Sequence, residues 1–125
     1  MKGTGPIYEK SKAFALRVVK LYKYFKENRL EYVMSKQLLR CGTSIGANVR
    51  EAVYAQSRAD FLSKMYIALK EAGESAYWLE LLGDAKYLTS SQYKSMLDDC
   101  EELIKILSSI TKTTKTNSYL LTPTS

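Results

Sequence analysis

Histidine is missing from this 125-residue chain. Its absence removes the usual general base near neutral pH, the Ser-His-Asp and Cys-His nucleophile systems, and the commonest zinc ligand. Cysteine is scarce, with Cys41 and Cys100 alone and no CxxC spacing. Both fall on apolar helix faces, which predicts buried free thiols rather than a redox pair or a metal site. No apolar run approaches the roughly 20 residues that span a bilayer, so no membrane partner is expected. The opening Met1-Lys2-Gly3-Thr4-Gly5-Pro6 lacks the apolar stretch of a secretory signal, which points to the cytoplasm. Carboxylate or lysine chemistry is left, and Glu71, Glu74 and Glu80 are the candidate ligands of a bundle metal. Such sites use inward-facing Glu-x-x-His pairs, and Glu74 and Glu80 fall off the apolar seam. The expectation is no enzyme, no cofactor and no metal.

What the chain does contain is helical periodicity. Hydrophobic residues make up 46% and charged residues 26%, ordinary for a globular protein of one-domain size. The first helix is predicted from Ile7 to Asn28, with Pro6 in its first turn and Glu9 complementing the dipole. Its seam is Ile7, Phe14, Val18, Leu21, Tyr22 and Phe25. The second runs from Glu31 to Gln56, with Met34, Leu38, Cys41, Ile45, Val49, Ala52 and Gln56 as seam. Gly42 and Gly46 interrupt it at about 1 kcal/mol each relative to alanine, which implies close approach of a neighbouring helix. The third starts after Ser57 as N-cap, carries Phe61, Met65, Ala68, Leu69, Ala72, Ala76 and Leu79, and ends at Gly83 in the left-handed conformation. Thr89-Ser90-Ser91-Gln92 is a capping box for a fourth helix that reaches Ile110. Its seam is Tyr93, Met96, Leu97, Cys100, Leu103, Ile104 and Leu107.

Short connections make this an all-α, antiparallel, up-down-up-down four-helix bundle over residues 1–110. Residues 111–125, rich in Thr and Ser, are read as a flexible tail. Tyr119-Leu120-Leu121 is its one apolar patch, able to dock on the bundle or a neighbouring subunit. Leu16, Ile67, Trp78 and Leu81 lie off the seams and are assigned to an oligomer interface.

Charge is uneven. Residues 1–57 hold 11 Lys/Arg against 4 Asp/Glu, whereas residues 58–110 hold 6 against 9. The outer faces of the first two helices carry Lys12, Lys20, Lys23, Lys36, Arg40 and Arg50, candidates for phosphate contacts with RNA or DNA. The bland alternative is a solvated face that keeps the protein soluble. No recognised RNA-binding motif is present, and the ten tyrosines form no RNP-like platform along the sequence.

The stretch Gln37-Leu38-Leu39-Arg40 through Ser44-Ile45, Asn48-Val49 and Glu51 resembles the signature Q-L-x-R-x-x-x-S-I-x-x-N-I-x-E of the four helix bundle protein family. That family is also called the 23S ribosomal RNA intervening-sequence protein family. A second block, Asp60-Phe61-Leu62, Tyr66 to Ala72, Glu74 and Leu79-Glu80-Leu81, fits as well, and the resemblance spans about residues 7–112. Gly46 stands where many members have proline, and Gly42 where alanine is common. The resemblance implies a small homo-oligomer, with pentameric rings among members, no established catalytic residues, and association with nucleic acid or a nucleic-acid-processing protein. Of the polar motif residues Gln37, Arg40, Asn48 and Glu51, the last three are expected to form a hydrogen-bond network between helices or subunits, the alternative being a ligand site. Two functions follow: a non-catalytic oligomer that holds structured RNA, or a ring-forming module that scaffolds a partner protein without touching nucleic acid.

Overall fold

The structure, a computed structural model, describes residues 5–121, with side chains through Lys115. It contains four helices and, among the described residues, no strand: α1 (Pro6–Glu27), α2 (Val33–Val53), α3 (Arg58–Asp84) and α4 (Ser90–Leu121). No helix of the described residues is long and apolar enough to cross a membrane.

Each start has a local cause. Pro6 sits in the first turn of α1. The Glu31 carboxylate accepts from the backbone N–H groups of Met34 (2.6 Å) and Ser35 (2.9 Å), so α2 begins two residues later than the periodicity suggests. Ser57 caps α3 by accepting from Asp60 N–H at 3.0 Å. The fourth start is the expected box: Thr89 Oγ1 accepts from Gln92 N–H, and Gln92 Oε1 from Thr89 N–H.

The ends differ more. After α1, Leu30 N–H donates to Phe25 O and Arg29 N–H to Lys26 O; after α3, Tyr87 N–H donates to Leu82 O and Lys86 N–H to Gly83 O. These are paired Schellman closures. Their left-handed residues are Arg29 (φ 53°) and Lys86 (φ 70°), not Gly83. Gly83 stays helical, and a Cβ there would meet the Tyr93 ring at 2.9 Å; its use is packing, not chain reversal. Gln56 is exposed, since α2 has already ended at Val53. The fourth helix runs past Ile110: Thr111 is buried and its Oγ1 donates to Leu107 O at 3.0 Å. The Tyr119-Leu120-Leu121 side chains and residues 122–125 lie outside the described residues, and with them the proposed docking of that patch.

One core joins all four helices, with Phe14, Val18, Phe25, Leu38, Ile45, Val49, Leu79, Leu82, Leu103 and Leu107 almost fully buried. Gly42 lets α1 approach α2 until a Cβ would lie 2.9 Å from Val18 Cγ2, and Gly46 faces Ser11. Contacts order the helices. Arg50 covers Tyr8 while Gly42 meets Val18. Lys64 reaches Glu51 while Ser75 meets Cys41. Cys100 donates to Ala72 O while Tyr93 meets Gly83. Lys10 pairs with Glu102 and Arg17 with Asp99. In each pair, residue numbers rise along one helix as they fall along the other.

Candidate nucleic-acid interface

Lys12, Lys20, Lys23, Lys36 and Arg50 are exposed, on α1 and α2. Among the described residues none of the five is in an ion pair, whereas Lys10, Arg17, Lys64 and Lys94 are each bound to carboxylates. An unpaired exposed cation keeps its full field for a phosphate; a paired one has spent most of it. Between α1 and α2 lies a shallow cleft lined by Tyr8, Ser11, Lys12, Ala15, Thr43, Gly46, Ala47 and Arg50. Small residues make the cleft, and Lys12 and Arg50 flank it. The Arg50 guanidinium rests 4.8 Å from the centroid of the Tyr8 ring, which holds it in place without neutralising it.

Arg40 does not belong with these five. It turns toward α3, where it pairs with Glu71 at 3.4 Å and with Glu74. Its Nε donates to Gln37 Oε1, and Glu74 also accepts from Trp78 Nε1 at 2.9 Å. Glu51 meets Lys64 at 3.7 Å on the same side of the bundle. Gln37 and Arg40 therefore sit in one α2–α3 polar cluster, and Glu51 makes a separate α2–α3 ion pair about three turns along α2. Asn48 instead bonds within its own helix, donating to Ser44 O and Oγ. Glu74, placed off the seam by periodicity, is half-buried in that cluster.

Beneath the cluster the Cys41 thiol accepts from Ser75 Oγ at 3.2 Å. Cys41 Sγ and the Glu71 and Glu74 carboxylates lie within 4.8 Å of one another, a grouping the linear spacing concealed. The donor set does not suit a cation. The Arg40 guanidinium already occupies both carboxylates, and burial pushes the Cys41 thiol up, which disfavours the thiolate a metal needs. Burial and then the nearby Cys41 push the Cys100 thiol up to about 12. Both cysteines are free and buried, as their seam positions imply.

The off-seam apolar set divides. Leu16 is 54% exposed, within a stretch of α1 that carries Lys12 and Lys20. Ile67, Trp78 and Leu81 are half-buried, because the apolar face of α3 is wider than its small-residue seam. Trp78 packs against the core and edge-on to Tyr77. Acidic side chains gather elsewhere: Asp98, Glu101 and Glu102 line the outer side of α4. Lost solvent, then Glu80, Asp84 and Glu101, raise the Tyr93 phenol.

Four helices around one core, with a basic α1–α2 side and a polar α2–α3 seam, define a small helical-bundle protein. The chain belongs to the 23S rRNA-intervening sequence protein family, whose profile it matches over residues 5–109. It is similar to a protein of unknown function from the S23 ribosomal protein family of Bacteroides thetaiotaomicron VPI-5482, whose crystal structure was solved at 1.70 Å. The two share 57% identity and a TM-score of 0.83, over 85% of this chain and 98% of that one. No curated protein matches the chain.

Proposed function

We propose that this protein is a non-catalytic, cytoplasmic homo-oligomer that holds structured RNA, or another nucleic acid, by its phosphates. The observation that carries the reading is the set of five exposed, unpaired cations, Lys12, Lys20, Lys23, Lys36 and Arg50, on two adjacent helices. The cleft between Lys12 and Arg50 is shallow and floored by small side chains, which suits a backbone passing over it better than a small molecule enclosed in it. In a ring of copies, with five subunits as the family resemblance implies, the patch repeats and weak contacts add as avidity.

A second reading rests on Leu16. A leucine that exposed, on the basic side, is suited to contact with another subunit or a partner protein such as a nucleic-acid-processing enzyme. Salt separates the two. Affinity for a fluorescent RNA hairpin, followed by anisotropy, should fall linearly in log–log terms as salt rises, because cations of the protein displace counterions from phosphates. Capture of a protein partner that is insensitive to both salt and ribonuclease would favour scaffolding instead. Light scattering should give a mass several times the 14.2 kDa of one chain; a strict monomer removes the ring from both readings.

A further inference from the structure

The end of the bundle where α1 gives way to α2, and α3 to α4, is built unlike the opposite end. Each loop there turns on a left-handed residue, and each of those is a long cation, Arg29 and Lys86, where glycine is the default. Residues 20–36 add Lys20, Lys23, Lys26 and Lys36, against two carboxylates, Glu27 and Glu31. Glu31 is already engaged in capping α2. Among the described residues, none of these six cations is in an ion pair. At the opposite end Lys10 and Lys64 are tied to Glu102, Glu51 and Asp60, whereas Lys12, Arg50 and Arg58 are exposed and, among the described residues, unpaired, so the left-handed cationic turns, not unpaired charge alone, set the first end apart.

Aromatic rings stand among these cations. Tyr24 is 52% exposed, Tyr32 48% and Tyr87 41%. Tyr24 and Tyr32 flank the α1–α2 turn, and the α3–α4 turn brings Tyr87 to the same end of the bundle. Phe25, buried, touches both the Tyr24 and the Tyr87 rings, each with centroids 6.3 Å away. Tyr32 immediately precedes α2 and makes no side-chain capping bond. Tyr24 and Tyr87 each pack on Phe25 and still leave about half of the side chain to solvent. A flat ring beside a phosphate-binding cation is what an unpaired base needs: a π-face for stacking and a charge for its backbone.

We propose that this end takes single-stranded RNA, stacking unpaired bases on Tyr24, Tyr32 and Tyr87 while Lys23, Lys26, Arg29, Lys36 and Lys86 hold the phosphates. The inference rests on the RNA reading above and adds the class of RNA: unpaired loops or ends rather than continuous duplex. Bases inside an A-form duplex present no free face to a ring, so the duplex keeps only the phosphate contacts.

The test uses the full chain with three probes: a short oligouridylate, an RNA duplex of equal length, and a single strand carrying a fluorescent purine analogue. The parent should bind the single strand more tightly than the duplex and change the analogue's emission, as stacking does. The variant Tyr24→Ala/Tyr32→Ala should lose about tenfold in single-strand affinity and little in duplex affinity, while Tyr24→Phe/Tyr32→Phe retains it. Both rings lie at the surface, so circular dichroism should be unchanged; Tyr87→Leu, which keeps cover over Phe25, provides a second, independent loss. The proposal is overturned if the alanine variant binds oligouridylate like the parent, or if it loses single strand and duplex alike. If neither RNA form binds the parent, the basic-surface reading has failed as well. If both bind, and only charge reversal matters, stacking alone has failed.

Discussion

Gly42 is where the packing of α1 on α2 is most exposed to a single methyl group. A Cβ there would lie 2.9 Å from Val18 Cγ2, 3.2 Å from Cγ1 and 3.4 Å from Val18 Cβ. Val18 is buried and β-branched, so its side chain has almost no rotamer to escape into, and relief requires the helices to part. Replacing a mid-helix glycine by alanine gains about 1 kcal/mol in backbone entropy. Overpacking of this kind costs about 1–3 kcal/mol. The net expectation for Gly42→Ala is destabilisation by about 1 kcal/mol. Gly73 on α3 is the internal control: it is exposed, and a Cβ there meets nothing within 4 Å. Gly73→Ala should therefore stabilise by about 1 kcal/mol, leaving roughly 2 kcal/mol between the variants. Urea unfolding followed by circular dichroism, at one fixed protein concentration because assembly couples to stability, measures both. Equal midpoints for the two variants would refute the account of the α1–α2 contact.

Arg40→Ala removes two partly exposed ion pairs and should cost about 1 kcal/mol, shift the emission of the sole tryptophan through Glu74, and leave RNA affinity almost unchanged. Loss of RNA binding equal to that of a Lys36 charge reversal would return Arg40 to the phosphate set. Cys100 should resist thiol reagents until the chain unfolds. Its folded-state pKa is raised from 9.0 to about 12, so the stability it contributes is fully present below pH 9 and fades as pH climbs toward 12. The melting temperature of the parent should thus fall more steeply above pH 9 than that of Cys100→Ala, and parallel curves would contradict this. Neither a chelator nor added zinc should move the melting temperature, since Arg40 holds the carboxylates beside Cys41; a rise of several degrees with zinc would mean the guanidinium yields.

Features set by near neighbours in the chain were legible in the sequence. The capping box at Thr89, the Ser57 cap and the seams of Phe14, Val18, Leu38 and Ile45 depend on spacings of three and four residues, and the structure follows them. Gly42 and Gly46 announced a close helix approach because nothing local repays a mid-helix glycine. What depended on distant partners was not legible. Periodicity placed Arg40 outward, yet Glu71 and Glu74 draw it toward α3. The small-residue seam of α3 defines its rotational phase poorly, so periodicity puts Trp78 on an outer face, whereas the ring is half-buried. Glycine chemistry alone points to a helix end at Gly83, but its missing Cβ makes room for the Tyr93 ring, and the chain turns at Lys86 instead. The Thr/Ser composition after Ile110 suggested a stop, whereas Thr111 satisfies its hydroxyl on Leu107 O and the helix continues. Of the candidate interface, individual cations were visible beforehand. The arrival of Tyr87 at the end that carries Tyr24 and Tyr32 was not, because the α3–α4 turn brings it there against Phe25.

The central claim is that exposed, unpaired cations on α1 and α2 hold RNA. Its most direct measurement is the affinity of Lys20→Glu/Lys23→Glu/Lys36→Glu for an RNA hairpin across a salt series, beside the parent. All three lysines are exposed and, among the described residues, in no ion pair, so helical content should not change. The account predicts binding by the parent that weakens steeply with salt, and no measurable binding by the variant. A variant that folds normally and binds the hairpin as tightly as the parent, with the same salt slope, would contradict it and leave the basic side as a solubilising surface.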